Sequence, residues 1–235
     1  MPRPYLKAYS FTKEWMFFAP SCDVWNDLLS RYRGRENVNY LEVGLLEGGS
    51  ALWMLENILT HPTARMTGIE HLPQQALIDN LRLSGSFDKV TLLAGESELM
   101  LRQLPPASFD VVYLDGSHLP DDVMTDAVLS WGLLKPGGTL IFDDYQLWPR
   151  GSPNLAARMA IDAFLGAFQY YHEVLHRGYQ VVIRKRTDAD RRKRILMSYN
   201  AACFAKQQGK TGLPQIALES LARVSSPVSS QRKEP

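Results

Sequence analysis

The stretch Tyr40-Leu41-Glu42-Val43-Gly44-Leu45-Leu46-Glu47-Gly48-Gly49-Ser50 decides the fold. Its first residues are mostly apolar, which is typical of a short parallel strand that is buried on both faces, and helical spacing of apolar residues begins at Ser50. Gly44 and Gly48 let the backbone bend and approach a ligand closely, and the free N–H groups at the start of the helix point toward that ligand. The stretch therefore predicts a nucleotide pocket, although a tight turn in an ordinary α/β domain has the same pattern.

The composition is that of a soluble globular protein of 235 residues, of which 45% are hydrophobic and 22% are charged. This length fits one domain with extensions. The net charge of +1 gives no argument for nucleic acid or an anionic membrane as a partner. No apolar run approaches the roughly 20 residues that span a bilayer, and the N-terminus lacks the apolar stretch of a secretory signal. We therefore expect a cytoplasmic protein that binds neither nucleic acid nor membrane.

Short apolar runs alternate with segments of helical spacing along residues 37–185. The predicted strands are 38–43, 66–70, 90–94, 109–115, 139–142, 170–175 and 179–183, and the predicted helices are 50–59, 74–83, 121–134 and 156–165. Such alternation implies a parallel sheet with right-handed crossovers and helices on both faces. The last two runs flank Arg177-Gly178 and predict an antiparallel hairpin. We therefore predict an α/β fold with a Rossmann-like, doubly wound, mostly parallel seven-stranded sheet that ends in a C-terminal hairpin.

Two terminal segments flank this core. Residues 1–36 form an aromatic cap, in which Ser21-Cys22-Asp23 could cap a helix that runs to about Arg33. The cap either packs on the core, which we favour, or acts as a lid that contacts a substrate. Residues 186–235 are a basic connector and tail, and the stretch 184–194 carries seven basic and two acidic residues. We favour a solvated connector there over a contact with phosphate groups. Either terminal segment could instead serve the interface of a homo-oligomer.

Polar residues follow several of the predicted strands at the point where each strand ends. Glu70 ends the second strand, where an acid roughly 20 to 30 residues past a glycine turn accepts hydrogen bonds from ribose hydroxyls. Ser97 follows the third strand. Asp115 and His118 follow the fourth strand, and Asp143-Asp144 follows the fifth. In a parallel sheet these strand ends share one edge, so we expect the side chains to lie close together.

Three carboxylates at one edge would repel each other at neutral pH. A hard divalent cation such as Mg, Mn or Ca is the simplest way to neutralise Asp115, Asp143 and Asp144. The alternatives remain that Asp143-Asp144 caps a loop or helix and that His118 is an ordinary loop histidine.

Four segments together resemble the class I S-adenosylmethionine-dependent methyltransferases, and within them the branch of the macrocin-type, metal-dependent O-methyltransferases. They are the stretch from Glu42 to Ser50, Tyr113-Leu114-Asp115-Gly116-Ser117-His118, Leu134-Lys135-Pro136-Gly137-Gly138 and Phe142-Asp143-Asp144-Tyr145. The resemblance covers about residues 37 to 185. Glu70 departs from the class, in which many members carry Asp at this position, and we expect the longer side chain to be tolerated.

The resemblance implies a role for each candidate site residue. The residues that it assigns to S-adenosylmethionine are Glu42, Gly44 and Gly48 at the methionine and ribose end, Ser50 at the start of the helix, Glu70 at the ribose, Ser97 near the adenine, and Asp115. It assigns Mg to Asp115, Asp143 and Asp144, and it makes His118 the candidate base, with Asp115 also counted among the catalytic residues. The implied reaction is methylation of a hydroxyl on a small molecule, a sugar or a phenol, and a vicinal diol would suit chelation of the metal.

Three other functions stay open at this point. A metal-independent methyltransferase is the nearest. An NAD-dependent oxidoreductase is less favoured, because the turn is Gly44-x-x-x-Gly48 rather than Gly-x-Gly-x-x-Gly and because nicotinamide chemistry does not explain Asp143-Asp144. A cofactor-binding module without catalysis is the third.

Overall fold

The computed structural model describes residues 9–12, 21–147, 157–190, 193 and 196–198. The chain divides into two compact units, Met1–Lys185 and Arg186–Pro235. Within the described part of the second unit, Asp190 accepts a hydrogen bond from the Thr187 hydroxyl at 2.7 Å. Two further stretches of the tail have sequences that could form short helices, 195–205 and 213–224; the second and most of the first lie outside the described residues, as do Trp15, Phe17 and Phe18 of the aromatic cap.

The first unit contains six α-helices and seven strands among its described residues. The helices are α1 (Cys22–Leu28), α2 (Gly49–Asn57), α3 (Gln75–Leu83), α4 (Ser97–Leu101), α5 (Pro120–Leu133) and α6 (Ala157–Ala167), with short 3-10 turns at Ser30–Tyr32 and Phe87–Lys89. The strands are β1 (Asn39–Val43), β2 (Arg65–Glu70), β3 (Val90–Ala94), β4 (Phe109–Leu114), β5 (Leu134–Phe142), β6 (His172–Arg177) and β7 (Val181–Lys185).

The strands form one sheet in the order β3-β2-β1-β4-β5-β7-β6. The first five strands of this order run parallel, and β7 pairs antiparallel with both β5 and β6. This order confirms the predicted Rossmann-like α/β fold, with a mostly parallel seven-stranded sheet and an antiparallel C-terminal hairpin. The chain order reverses between β1 and β4, and ligands of open α/β sheets bind at such a switch point.

Both faces of the central strands are buried, as their apolar sequences predict. Side chains on a strand alternate between faces. Accordingly, Tyr40 and Val111 join one hydrophobic cluster, with Trp25 and Trp53, while Leu41 and Val112 join the other. The aligned β1 and β4 are therefore held from two sides, which fixes the positions of the loops that leave their carboxyl ends.

The junction between α5 and β5 differs from the prediction. The helix was expected to include Leu134 and to end at the Pro136 and glycine signals, but α5 ends at Leu133 and β5 already begins at Leu134. The first strand pairing joins Phe109 to Leu134, and an irregular register follows before Val111 pairs with Thr139. The proline and glycines are accommodated within this irregular start of the strand.

The described part of the N-terminal segment packs on the core. Trp25 is fully buried in α1, which is shorter than predicted, and Ser21 makes no side-chain capping hydrogen bond there. Thr12 donates to Glu47 from its backbone N–H at 2.9 Å and from its hydroxyl at 2.6 Å. Ser10 and Asn80 exchange two hydrogen bonds of 2.9 and 3.0 Å. The described residues before β1 thus support packing rather than a lid. Among the described residues, no helix is long and apolar enough to cross a membrane.

Candidate active site

A cleft of about 1040 Å³ opens at the carboxyl ends of the parallel strands. Seven of the ten residues predicted for the site line this cleft, namely Gly44, Glu70, Ser97, Asp115, His118, Asp143 and Asp144. The other three, Glu42, Gly48 and Ser50, do not line it. Its volume is at the upper end of the roughly 300 to 1,000 Å³ range of small-molecule sites, so a nucleotide-sized ligand and an acceptor would fit together.

The glycine turn after β1 packs against the end of β4. Gly44 has φ +83, and a Cβ atom there would lie 2.0 Å from the Asp115 carbonyl oxygen. The neighbouring backbones are also joined, because the Asp115 N–H donates to the Val43 carbonyl at 2.9 Å. Only glycine fits this position, and its missing side chain lets the turn approach β4 closely.

Glu70 holds the turn from the end of β2. Its Oε2 accepts hydrogen bonds from the backbone N–H groups of Leu45 and Leu46, each at 2.9 Å. A carboxylate that accepts two backbone N–H groups makes strong, charge-assisted bonds. Glu70 therefore fixes the shape of the turn. Its contact with ribose hydroxyls stays a prediction.

Glu42 lies behind the turn rather than on the cleft wall. Its side chain is fully buried, and it accepts hydrogen bonds from the Tyr40 hydroxyl at 2.7 Å and from the Ser50 hydroxyl. Gly48, with φ +91, lies beside the Leu77 side chain. The geometry thus gives Glu42 and Ser50 a supporting place beneath the turn, and their contact with a cofactor stays a prediction.

Ser97 lies at the start of α4 and donates a hydrogen bond to Asp126 at 2.7 Å. Asp126, on α5, is only 4% exposed, and burial raises its pKa to about 6 although the bond from Ser97 opposes this shift. Both residues line the cleft. Sequence reasoning missed Asp126, because nothing local indicates that the middle of α5 faces the loop after β3.

Two acids of the predicted metal site meet at one buried phenol. The Tyr113 hydroxyl, on β4, lies within hydrogen-bond distance of the Asp115 carboxylate at 3.0 Å and also donates to Asp143. Gln180, next to β7, brings its Nε2 within 3.5 Å of the same hydroxyl. The structure therefore brings the ends of β4 and β5 together as the sequence predicts, and it adds Tyr113 and Gln180, which the sequence analysis missed.

The third acid, Asp144, forms a separate group with His118 and Tyr179. Asp144 Oδ2 lies 2.7 Å from His118 Nδ1, and Oδ1 accepts from the Tyr179 hydroxyl at 2.7 Å. The backbone of Asp144 has φ +57, a left-handed conformation that asparagine and aspartate tolerate better than most residues. Together, Asp115, Asp143 and Asp144 are called the carboxylate cluster below.

The electrostatics of the carboxylate cluster follow from burial and mutual repulsion. Burial raises the pKa of Asp115 well above its usual value, and the charges of Asp143 and Asp144 raise it further. Burial also raises the pKa of Asp143. For Asp144, burial acts in the same direction, but the hydrogen bonds from His118 and Tyr179 outweigh it and lower its pKa. The same bond raises the pKa of His118, against the opposing effect of burial.

The donor set of the carboxylate cluster has the chemistry of a hard-cation site. Carboxylate oxygens suit Mg. Burial is the main cause of the raised pKa values of Asp115 and Asp143, the neighbouring acids raise them further, and a positive charge would relieve that repulsion. Among the residues that the structure describes, however, no group of three or more His, Cys, Asp or Glu side chains converges with the geometry of a metal site. The carboxylate oxygens are instead engaged by Tyr113, Tyr179 and His118. The predicted metal role of Asp115, Asp143 and Asp144 therefore rests on their chemistry.

One family model matches the middle of the chain. Residues 41–145 match the family model described as a methyltransferase domain. An uncharacterized protein of Acanthamoeba polyphaga mimivirus is 27% identical over 127 residues, a match that covers 52% of this chain. The match spans only 57% of the viral protein's length.

Solved structures share the fold at low sequence identity. A protein of Corynebacterium glutamicum is 18% identical with a TM-score of 0.58, over 78% of this chain and 95% of that one. TomG, an O-methyltransferase of tomaymycin synthesis from Streptomyces achromogenes in complex with S-adenosylmethionine, is 19% identical with a TM-score of 0.55, over 72% of this chain and 81% of TomG. MycE, a methyltransferase of mycinamycin biosynthesis in complex with Mg, S-adenosylhomocysteine and mycinamycin VI, is 19% identical with a TM-score of 0.54, over 73% of this chain and 50% of MycE.

Beyond the shared fold, the comparisons give a likeness to methyltransferases over the middle of the chain. The matched segment, residues 41–145, contains the glycine turn, Glu70, Ser97 and the whole carboxylate cluster.

Proposed function

We propose that the protein transfers the methyl group of S-adenosylmethionine to a hydroxyl oxygen of a small molecule, in a reaction that depends on a divalent cation such as Mg. One observation carries the proposal. A histidine bound to a carboxylate and two further acids share one cleft with the glycine turn that Glu70 holds in place. A cofactor subsite and an acid–base subsite at neighbouring strand ends are what methyl transfer to a hydroxyl requires.

The cofactor side of the cleft is formed by the glycine turn and the residues that hold it. Gly44 lets the turn pack closely against the end of β4, and Glu70 keeps the turn in that conformation. When bound, S-adenosylmethionine would supply an electrophilic methyl group on a sulfonium. Gly44, Glu70, Ser97 and Asp115 are the residues on the cleft wall that we propose for its binding.

His118 is the proposed base. Its Nδ1 is engaged by Asp144 at 2.7 Å, so in the neutral ring the proton lies on Nδ1 and Nε2 is the nitrogen that can accept another. Nε2 would take the proton of the acceptor hydroxyl. Bound S-adenosylmethionine would supply the methyl group to that oxygen, with the carbon–sulfur bond breaking and its electron pair returning to sulfur. General-base assistance of this kind typically contributes about 10² to 10⁴ in rate.

The carboxylate cluster would hold the cation in this proposal. When bound, the cation would stabilise a deprotonated acceptor oxygen and orient it, and an acceptor with vicinal oxygens would occupy two metal positions. Supporting this are the oxygen donor set and the raised pKa values of Asp115 and Asp143. Most of the remaining rate enhancement would come from holding oxygen and methyl group in near-attack geometry.

A second candidate is a metal-independent methyltransferase that uses His118 alone. The observation that favours it is the engagement of the carboxylate oxygens by Tyr113, Tyr179 and His118, in place of convergent metal ligands among the described residues.

A turnover assay separates the two candidates. We would follow conversion of S-adenosylmethionine to S-adenosylhomocysteine by mass spectrometry with sugar, diol and phenol acceptors, in Mg and in chelator. The proposal predicts a methylated hydroxyl in Mg, loss of turnover in chelator and recovery when Mg is restored. Turnover that chelator leaves unchanged would favour the metal-independent enzyme, and methylation at nitrogen, carbon or sulfur only would contradict the choice of a hydroxyl acceptor.

A further inference from the structure

A buried chain of hydrogen bonds runs from the N-terminal helix to the carboxylate cluster. The indole Nε1 of Trp25, in α1, donates to Gln180 Oε1 at 2.7 Å. Gln180 Nε2 lies 3.5 Å from the Tyr113 hydroxyl, which contacts both Asp115 and Asp143. Trp25 is fully buried, Tyr113 is 1% exposed and Gln180 is 3% exposed. These hydrogen bonds thus join Trp25, Tyr113 and Gln180, which are far apart in the sequence, behind the wall of the cleft.

The chemistry of the first link orients the second. An indole N–H is only a donor, so the atom of Gln180 that faces Trp25 must be the amide oxygen. The amide nitrogen then points the other way, toward Tyr113 and Asp143, and a bond from Gln180 also acts on the Asp143 carboxylate. An amide in the opposite orientation would present its oxygen to a group of acids and would be repelled.

The Tyr113 phenol fixes the spacing of two acids. Its hydroxyl has a single proton, and its oxygen lies within reach of a carboxylate at the end of β4 and of one at the end of β5. The ring itself is held by the edge of Trp25, with the ring centroids 4.8 Å apart. Movement of Trp25 or Gln180 would therefore change the relative position of Asp115 and Asp143 without touching any ligand.

We propose that Trp25 and Gln180 are positioning residues, which act through Tyr113 to hold Asp115 and Asp143 in the arrangement from which they would bind the proposed divalent cation. The inference rests on the proposed function, since it concerns the cation of that same site. It gives α1 a role beyond packing, because the N–H group that orients the Gln180 amide belongs to Trp25 in this helix.

The test measures metal binding without turnover. The probes are Mg alone and Mn alone, and the readout is the rise in the midpoint of thermal unfolding as the metal is titrated, because a ligand that binds only the native state stabilises it. The variants are Trp25→Phe, which keeps an aromatic ring but removes the N–H, and Gln180→Met, which keeps the length but removes both amide groups. Tyr32→Phe is the matched control, since it removes a buried phenol that bonds to Thr139, far along β5 from Asp143.

The expected result is a shift in metal dependence. Both test variants should need about three- to tenfold more metal for the same stabilisation, the factor that corresponds to losing about one hydrogen bond. Tyr32→Phe should lower the midpoint without metal but leave the metal concentration dependence of the wild type. Equal metal dependence in all four proteins would overturn the positioning role and leave the proposed function intact. A wild-type protein that neither metal stabilises would overturn the cation itself, and the positioning role with it. If one test variant does not fold, the other decides between these outcomes.

Discussion

Single residues fix the geometry of the cleft where backbones meet. Gly44 touches the Asp115 carbonyl so closely that no side chain fits, and Glu70 binds the next two N–H groups of the same turn. On the acceptor side, Asp144 binds His118 and Tyr179 with its two carboxylate oxygens. All of them except Tyr179 could be predicted from the sequence, because each lies at or just after the end of a recognisable strand.

Substitution of Gly44 tests the contact with β4. Gly44→Ala places a Cβ against a backbone carbonyl in a left-handed conformation, whereas Gly137→Ala has a similar φ of +81 with nothing within 4 Å. We expect Gly137→Ala to lower the free energy of unfolding by about 1 to 2 kcal/mol from backbone strain alone. Gly44→Ala should lower it by at least about 2 kcal/mol more, because of the clash. Urea unfolding of both variants measures the difference. Equal costs would show that the turn does not press against β4.

The pH dependence of turnover tests His118. A base must be unprotonated, and the bond to Asp144 raises the pKa of His118, so kcat should fall on the acid side with a midpoint above 6.5. His118→Asn should lower kcat by about 10²- to 10⁴-fold and abolish this acid limb.

His71 provides the matched control for this experiment. It also lines the cleft, 3.2 Å from Glu96, and His71→Asn should keep the acid limb whatever its effect on KM. An acid limb that survives in His118→Asn would remove His118 from the role of base.

Secondary-structure elements carry the side chains that the sequence did not reveal. Tyr113 lies in an apolar strand and Gln180 in a hairpin, and neither local sequence indicates a functional residue. The two side chains meet only because β4, β5 and β7 are neighbours in the sheet. Asp126 is equally inconspicuous in α5. Local sequence shows which residues follow a strand, but not which side chains of distant elements meet, because that depends on the packing of the whole sheet.

The early start of β5 has a similar cause. Helical spacing continues to Leu134, and Pro136 with two glycines indicates a loop, so local signals favour the wrong boundary. Pairing of Leu134 with Phe109 on the neighbouring strand decides the conformation instead.

Asp126 on α5 gives a stability prediction with a defined sign. Its pKa is raised from 3.8 to about 6 in the native protein, so the native state binds more protons than the unfolded state between these values, and stability falls as pH rises through this window. Above about pH 6 the full loss in the free energy of unfolding is on the order of 3 kcal/mol.

Asp126→Asn should therefore gain stability relative to the wild type from pH 4 to pH 7, by up to about 3 kcal/mol. Urea unfolding at several pH values checks this, with the difference at pH 4 as the internal reference. A stability difference between the two proteins that does not change with pH would contradict a burial-raised pKa at Asp126.

The whole molecule places two subsites along one edge of a sheet. The strand order and the switch between β1 and β4 bring the glycine turn, Glu70 and the carboxylate cluster into one cleft. This arrangement was predictable from the order of the segments, and the domain match over residues 41–145 agrees with it. The acceptor was not predictable in the same way, since loops and terminal segments, rather than the sheet, would form the contacts that select it. That the acceptor is a small molecule stays a proposal.

Calorimetric titration with S-adenosylmethionine, S-adenosylhomocysteine and NAD tests the central claim most directly. The account predicts saturable binding of both sulfur compounds and none of NAD, with weaker binding in Glu70→Ala, which loses the acceptor of two turn N–H groups. Glu173→Ala, which removes a surface acid paired with Arg184 on the hairpin, should bind as the wild type does. Binding of NAD alone would assign the glycine turn to an oxidoreductase, and binding of none of the three would leave a cofactor-binding module without this cofactor; either result would contradict a methyltransferase.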